Sequence, residues 1–278
     1  LPPTFELLPL QWWLVPLGFV LGAFGTLIGA GGGFVLVPLL LLLYPTEKPD
    51  VITAISLAVV FLNSVSGSIA YASMKRIDYK SGIMFSLATI PGAVLGALST
   101  SYIPRKQFDE LFGVLMILGS IFLVIRPISP ATRLTSKFQM TRRVVDAEGM
   151  EHSFCYNPVL GVAMSLVVGY LSSFLGVGGG FIHVPALVYL LNFPVHVATA
   201  TSHFILAVMT FTGSLVHMFT GTFARIIGLT VMLGIGVLPG AQLGAKLSTR
   251  VNAKWILRGL AAALGFVGLR LIFAAIQM

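Results

Sequence analysis

The chain has 278 residues, of which 56% are hydrophobic and 9% charged, and its mean hydropathy is +0.96. A soluble domain carries about 25% charged residues, so the composition excludes one and predicts an all-α polytopic membrane protein. The net charge of +8 comes from 17 Lys and Arg scattered between apolar runs, which build no groove for nucleic acid.

Residues 1–13, LPPTFELLPLQWW, lack the basic start of a cleavable signal and run on into apolar sequence. Apolar runs then fall at 10–28, 34–44, 51–73, 81–101 and 108–126. The charged, non-periodic stretch 127–156 follows, expected as a polar cytoplasmic linker. Five more runs lie at 157–175, 181–192, 196–219, 226–247 and 253–275. This divides the chain into a first transmembrane repeat, 1–126, the linker, and a second repeat, 157–278.

The halves repeat each other. LIGAGGGFVLVPLL at 27–40 matches FLGVGGGFIHVPAL at 174–187, an offset of 147. TAISLAVVFLNSVSGS at 53–68 matches TATSHFILAVMTFTGS at 199–214, and PGAVLGA at 91–97 matches PGAQLGA at 239–245. A duplicated unit with an odd number of crossing elements inverts its second copy. With the linker in the cytoplasm and both termini outside, 12 of the 17 basic residues fall on the cytoplasmic side, the bias that orients membrane proteins.

The triple glycines, Gly31–Gly33 and Gly178–Gly180, interrupt apolar sequence where glycine costs a helix about 1 kcal/mol. Residues 10–44 supply about 52 Å of helix, short of the ~60 Å that two spans require. The expectation is a helix broken within the membrane's depth, which is tolerated only against protein or a water-filled cavity. A helix restarting there, at Phe34 and again at Phe181, presents free N–H groups and a positive dipole end, an anion site with no charged side chain. The bland alternative is close helix packing through small residues.

The nine acidic residues lie at span ends, in loops or in the linker, which weighs against a cation pathway. Thr53, Ser56 and Asn63, answered by Thr199, Ser202 and His203, carry the hydroxyls and amide that an oxyanion requires. Gln242 is a further uncharged donor. Ser and Thr also bond back to their own helix, so that reading stays open. His203 and His183 are candidates to carry a coupling proton, or buried histidines that hydrogen-bond in the core. A single cysteine, Cys155, excludes an internal disulfide and a cysteine metal cage. No cofactor and no metal are expected. No P-loop, H-E-x-x-H or G-x-S-x-G pattern is present, and no enzyme activity is expected.

The paired GxGGGFxxVP and PGAxxGA motifs with the basic central linker resemble the TauE/SafE family of sulfite exporter-like proteins. The resemblance covers nearly all of the chain outside 127–156. It implies a secondary transporter in the cell (inner) membrane that moves sulfite, organosulfonates and related sulfur anions, mostly outward. A passive anion channel shares every feature read so far, and an intramembrane enzyme or lipid-binding subunit is the remote alternative.

Overall fold

A computed structural model describes residues 11–125, 139–222 and 226–276. Leu10 at the head of the first run, the front of the linker with Arg126, Arg133 and Lys137, and Arg225 lie outside the described residues.

Among the described residues ten α-helices follow the ten apolar runs: α1 Leu14–Ile28, α2 Gly33–Leu43, α3 Pro49–Ser73, α4 Tyr79–Ser99, α5 Arg105–Ile125, α6 Pro158–Leu175, α7 Gly180–Tyr189, α8 Val195–Phe219, α9 Ile227–Ser248 and α10 Ala253–Ile276. Seven are long and apolar enough to cross a membrane, whereas α1, α2 and α7 are shorter apolar helices. Local chemistry sets the ends. Pro49 and Pro158 open α3 and α6, where a missing N–H is no loss. The Asn157 side chain caps α6 by accepting from the N–H groups of Val159 and Leu160. Gly29 and Gly176 close α1 and α6 in the left-handed conformation, each returning its N–H to carbonyls of the last turn.

The packing is reciprocal between the two sequence copies. Helix α1 lies along α9 as α6 lies along α4, and α3 meets α9 as α8 meets α4. The exchange of halves also maps the α3–α8 and α5–α10 pairs onto themselves. The seams are tight because glycines admit backbone. A methyl group on Gly22 of α1 would sit 2.6 Å from the Val237 carbonyl oxygen of α9.

Residues 140–156, read from sequence only as part of a charged linker, form a β-hairpin. Strands β1 Met140–Val145 and β2 Glu151–Tyr156 pair antiparallel, Arg142 opposite Phe154 and Val145 opposite Glu151. Val144, Phe154 and Tyr156 bury one face against Phe85 of α4 and against Leu191, Phe193 and Val197 at the α7–α8 junction.

Candidate functional site

The two glycine loops meet at the middle of the molecule. Gly31 and Gly32, and likewise Gly178 and Gly179, hold φ between +77° and +82°, the left-handed region open to glycine at no steric cost. Helices α2 and α7 then begin at Gly33 and Gly180, each with a left-handed glycine as N-cap and no side-chain cap. Each loop touches the other. Gly33 abuts the Val177 carbonyl, and Gly180 abuts Gly29 and Ala30. Both also lean on the long central helices: a methyl on Gly31 would strike Val60 of α3 at 2.8 Å and Leu206 of α8 at 2.7 Å, and Gly178 faces the same Val60. Val60 and Leu206 lie near the midpoints of their 25-residue helices. The seats are exchanged as well, Gly29 resting on Thr199 and Gly176 on Thr53.

The first N–H groups of a helix have no partner inside it. In α2 the backbone bonds resume with Val35 and Leu36, both onto the Gly32 carbonyl, and in α7 with Ile182 and His183 onto that of Gly179. Ahead of them, the N–H groups of Gly33, Phe34, Gly180 and Phe181 meet no acceptor among the described residues. Buried side chains around the loops carry further unpaired polar atoms: Ser56 Oγ, Asn63 Nδ2, Ser64 Oγ, Ser172 Oγ and Ser173 Oγ. Ser172 Oγ lies directly beside Gly179. Buried polar groups are nearly always hydrogen-bonded, so these unmet donors around two dipole ends mark the loops as the candidate site. Among the described residues no carboxylate bonds to them. Asp50 sits in the first turn of α3, Asp78 at the N-cap of α4, and Asp109 one turn into α5, where it pairs with Arg105. Among the described residues no group of three or more His, Cys, Asp or Glu converges as a metal site would require.

The other candidates fall in three settings. Thr53 and Thr199 turn their hydroxyls back onto the carbonyls of Asp50 (3.1 Å) and His196 (3.0 Å), the local bonding open to any helical threonine. Ser202 Oγ reaches across to the Gly29 carbonyl at 3.3 Å. His203 joins a buried chain: its Nε2 lies 3.1 Å from Thr26 Oγ1, which donates at 3.0 Å to Asn63 Oδ1. With the threonine proton directed at Asn63, Nε2 is the donor in the first link. Tyr71 closes the network through its hydroxyl, donating to the Thr26 carbonyl at 2.7 Å. The side chains of His183 and Gln242 bond elsewhere. His183 Nε2 is 3.5 Å from Ser165 on α6. The Gln242 amide donates to the Ser66 carbonyl at 2.6 Å and so ties α9 to α3.

Sequence reasoning missed Thr26, Ser172 and Ser173. The signal was present, since Thr26 and Ser173 each stand three residues before the first left-handed glycine of their motif, 147 apart.

The sequence profile described as Sulfite exporter TauE/SafE matches residues 14–271. The probable membrane transporter protein YunE of Bacillus subtilis is 34% identical over 95% of this chain and 97% of its own length. A probable membrane transporter protein of Methanocaldococcus jannaschii is 26% identical over 95% and 96%, and one of Xylella fastidiosa is 29% identical over 85% and 82%. No solved structure matches the chain.

Proposed function

The chain belongs to the TauE/SafE sulfite exporter family, and from that premise we propose that it is a secondary transporter exporting small sulfur oxyanions, sulfite or organosulfonates. The anion binds between the starts of α2 and α7, to the N–H groups of Gly33, Phe34, Gly180 and Phe181. Ser56, Asn63, Ser64 and Ser172 complete its hydrogen bonds. The two repeats cross the cell (inner) membrane in opposite senses, with the hairpin side in the cytoplasm and both termini outside. They rock about the loops to expose the site alternately. Close contact between the loops favours this over a passive anion channel, which needs a continuous path. His203 is the first candidate for a coupling proton, since its imidazole reaches Thr26, which donates on to Asn63, beside the first loop.

The observation that carries the proposal is the meeting of two uncapped helix starts, one from each repeat, amid buried donors that no described residue satisfies. It is tested by thermal stabilisation of the purified protein against sulfite, thiosulfate, sulfoacetate, taurine, sulfate and chloride. A ligand at 100 times its Kd adds about 2.7 kcal/mol. One sulfur anion should raise Tm, and Ser64→Ala with Ser172→Ala should remove that rise while leaving the ligand-free Tm nearly unchanged, because neither hydroxyl supports the fold. A rise with only a neutral or cationic solute would refute the anion site.

A further inference from the structure

The β-hairpin belongs to neither repeat by sequence, yet it grips both at one end of the molecule. Toward the α3–α4 turn of the first half, Arg142 places Nε and Nη2 on Asp78 at 3.1 and 2.6 Å. The Asp78 side chain is 1% exposed. Ser81 Oγ donates to the same carboxylate at 2.5 Å and also lies 2.5 Å from the Tyr156 hydroxyl. At the hairpin tip, the Ala147 N–H donates to the Met74 carbonyl at 3.0 Å, and Arg76 lies 3.9 Å from Asp146 and 3.7 Å from Glu148. Toward the α7–α8 loop of the second half the contact is mainly apolar, the Phe154 ring tilted 45° against Phe193 at 4.2 Å between centroids, with Asn192 donating to the Cys155 carbonyl.

Exchange of the halves maps the α3–α4 turn onto the α8–α9 turn, and the α7–α8 loop onto the α2–α3 loop. At that opposite end lies a cavity of about 400 Å³ lined by Thr46, Glu47, Lys48, Asp50, Thr220 and Thr222. Among the described residues, one end carries the hairpin and the other this cavity. The two grips also differ in kind. Apolar contact favours staying docked, whereas a buried ion pair gains little net free energy, because the charges recover their hydration when they part. Such a pair can break and re-form.

We infer that the hairpin is a gate strap: it stays on the α7–α8 loop of the second repeat and must release the α3–α4 turn for its own membrane face to open. This rests on the alternating-access reading.

The test joins the tip to the turn. Met74→Cys and Ala147→Cys are introduced with Cys155→Ser, at a backbone contact close enough for a disulfide. In proteoliposomes loaded with the anion that stabilises the protein, oxidation should abolish flux, roughly tenfold or more, and reductant should restore it. Both single variants should transport whether oxidised or reduced. Equal flux in the oxidised and reduced double variant would overturn the strap. A second arm needs no transport and so separates failure of the strap from failure of the transport reading. Alkylation of a thiol placed on the α3–α4 turn by Met74→Cys, in purified protein carrying Cys155→Ser, should quicken roughly tenfold when Asp78→Asn is added. It should be unchanged in Arg143→Ala, which loses only a pair between exposed residues, with Glu151. No change in Asp78→Asn, or equal changes in both variants, would overturn the strap even if anion transport is established.

Discussion

At the scale of single residues, conformation and crowding separate cleanly among the glycines. Gly149, at the hairpin turn, has φ +83° and nothing within 4 Å of the place a Cβ would take. Gly176 has φ +71°, but its Cβ would fall 2.7 Å from the Thr53 Cα. Alanine in a left-handed conformation costs about 1–2 kcal/mol. Gly149→Ala should therefore lower Tm by that strain alone. Gly176→Ala adds a collision with backbone that cannot rotate away, so its loss should exceed that of Gly149→Ala by about 1–3 kcal/mol, the usual range for overpacking. A thermal melt of both variants checks the order, and equal losses would mean that the α6–α7 loop is not seated on α3. The same crowding answers why three glycines stand together. Two supply positive φ, and the third lets the opposite loop's backbone touch the helix start.

At the scale of elements, the hairpin was the least legible part of the sequence. Its β-period is short and polar, with Arg142 and His152 turned half-inward and only Val144, Phe154 and Tyr156 fully buried, so charge content masked alternation. Its turn is organised by Asp146, which accepts from the backbone N–H groups of Glu148 and Met150 and lies 3.3 Å from His152 Nε2. Burial alone would raise this carboxyl. The N–H groups of Met150 and Glu148, the His152 ring and Arg76 outweigh it and hold the pKa below the ordinary carboxylate value. A depressed folded pKa stabilises the docked hairpin above the unfolded value, near 3.9, and that contribution is lost as pH falls through the folded one. Wild type should therefore exceed Asp146→Asn in Tm at neutral pH, with the gap closing only below about pH 4. A gap constant down to pH 3 would mean that Asp146 does not hold the turn as a carboxylate.

At the scale of the whole molecule, the ten helices were legible because membrane spans announce themselves by length and apolarity, and their described ends agree with the runs to within a few residues. The site was legible only in outline. The glycine loops and the α3 and α8 polar residues stood out because they recur at a fixed offset. What each hydroxyl bonds to is set by tertiary contact: Thr53 turns onto its own helix, while Ser56, three residues on, is left unpaired. No periodicity distinguishes those two fates. Nor does it show where the repeats depart from one another in packing. Phe204 of α8 fills the seam against Gly82 of α4, and its counterpart in α3, by the offset of 146, is Ala58. There, where α3, α8 and α9 meet, lies a cavity of about 270 Å³ lined by Ala58, Phe61, Leu62, Phe211, Met218 and Thr230. It lies toward the unstrapped end, since Thr230 opens α9 and Met218 on its wall closes α8. If the halves rock, this void must shrink as the Phe204 seam loosens. Ala58→Phe places the missing ring in space already present, so Tm should hold or rise, as filling a void does. Flux should fall roughly tenfold, because the seam can no longer close. A variant that keeps both its Tm and its flux would show that this seam does not move, and would place the motion elsewhere than between α3 and α9.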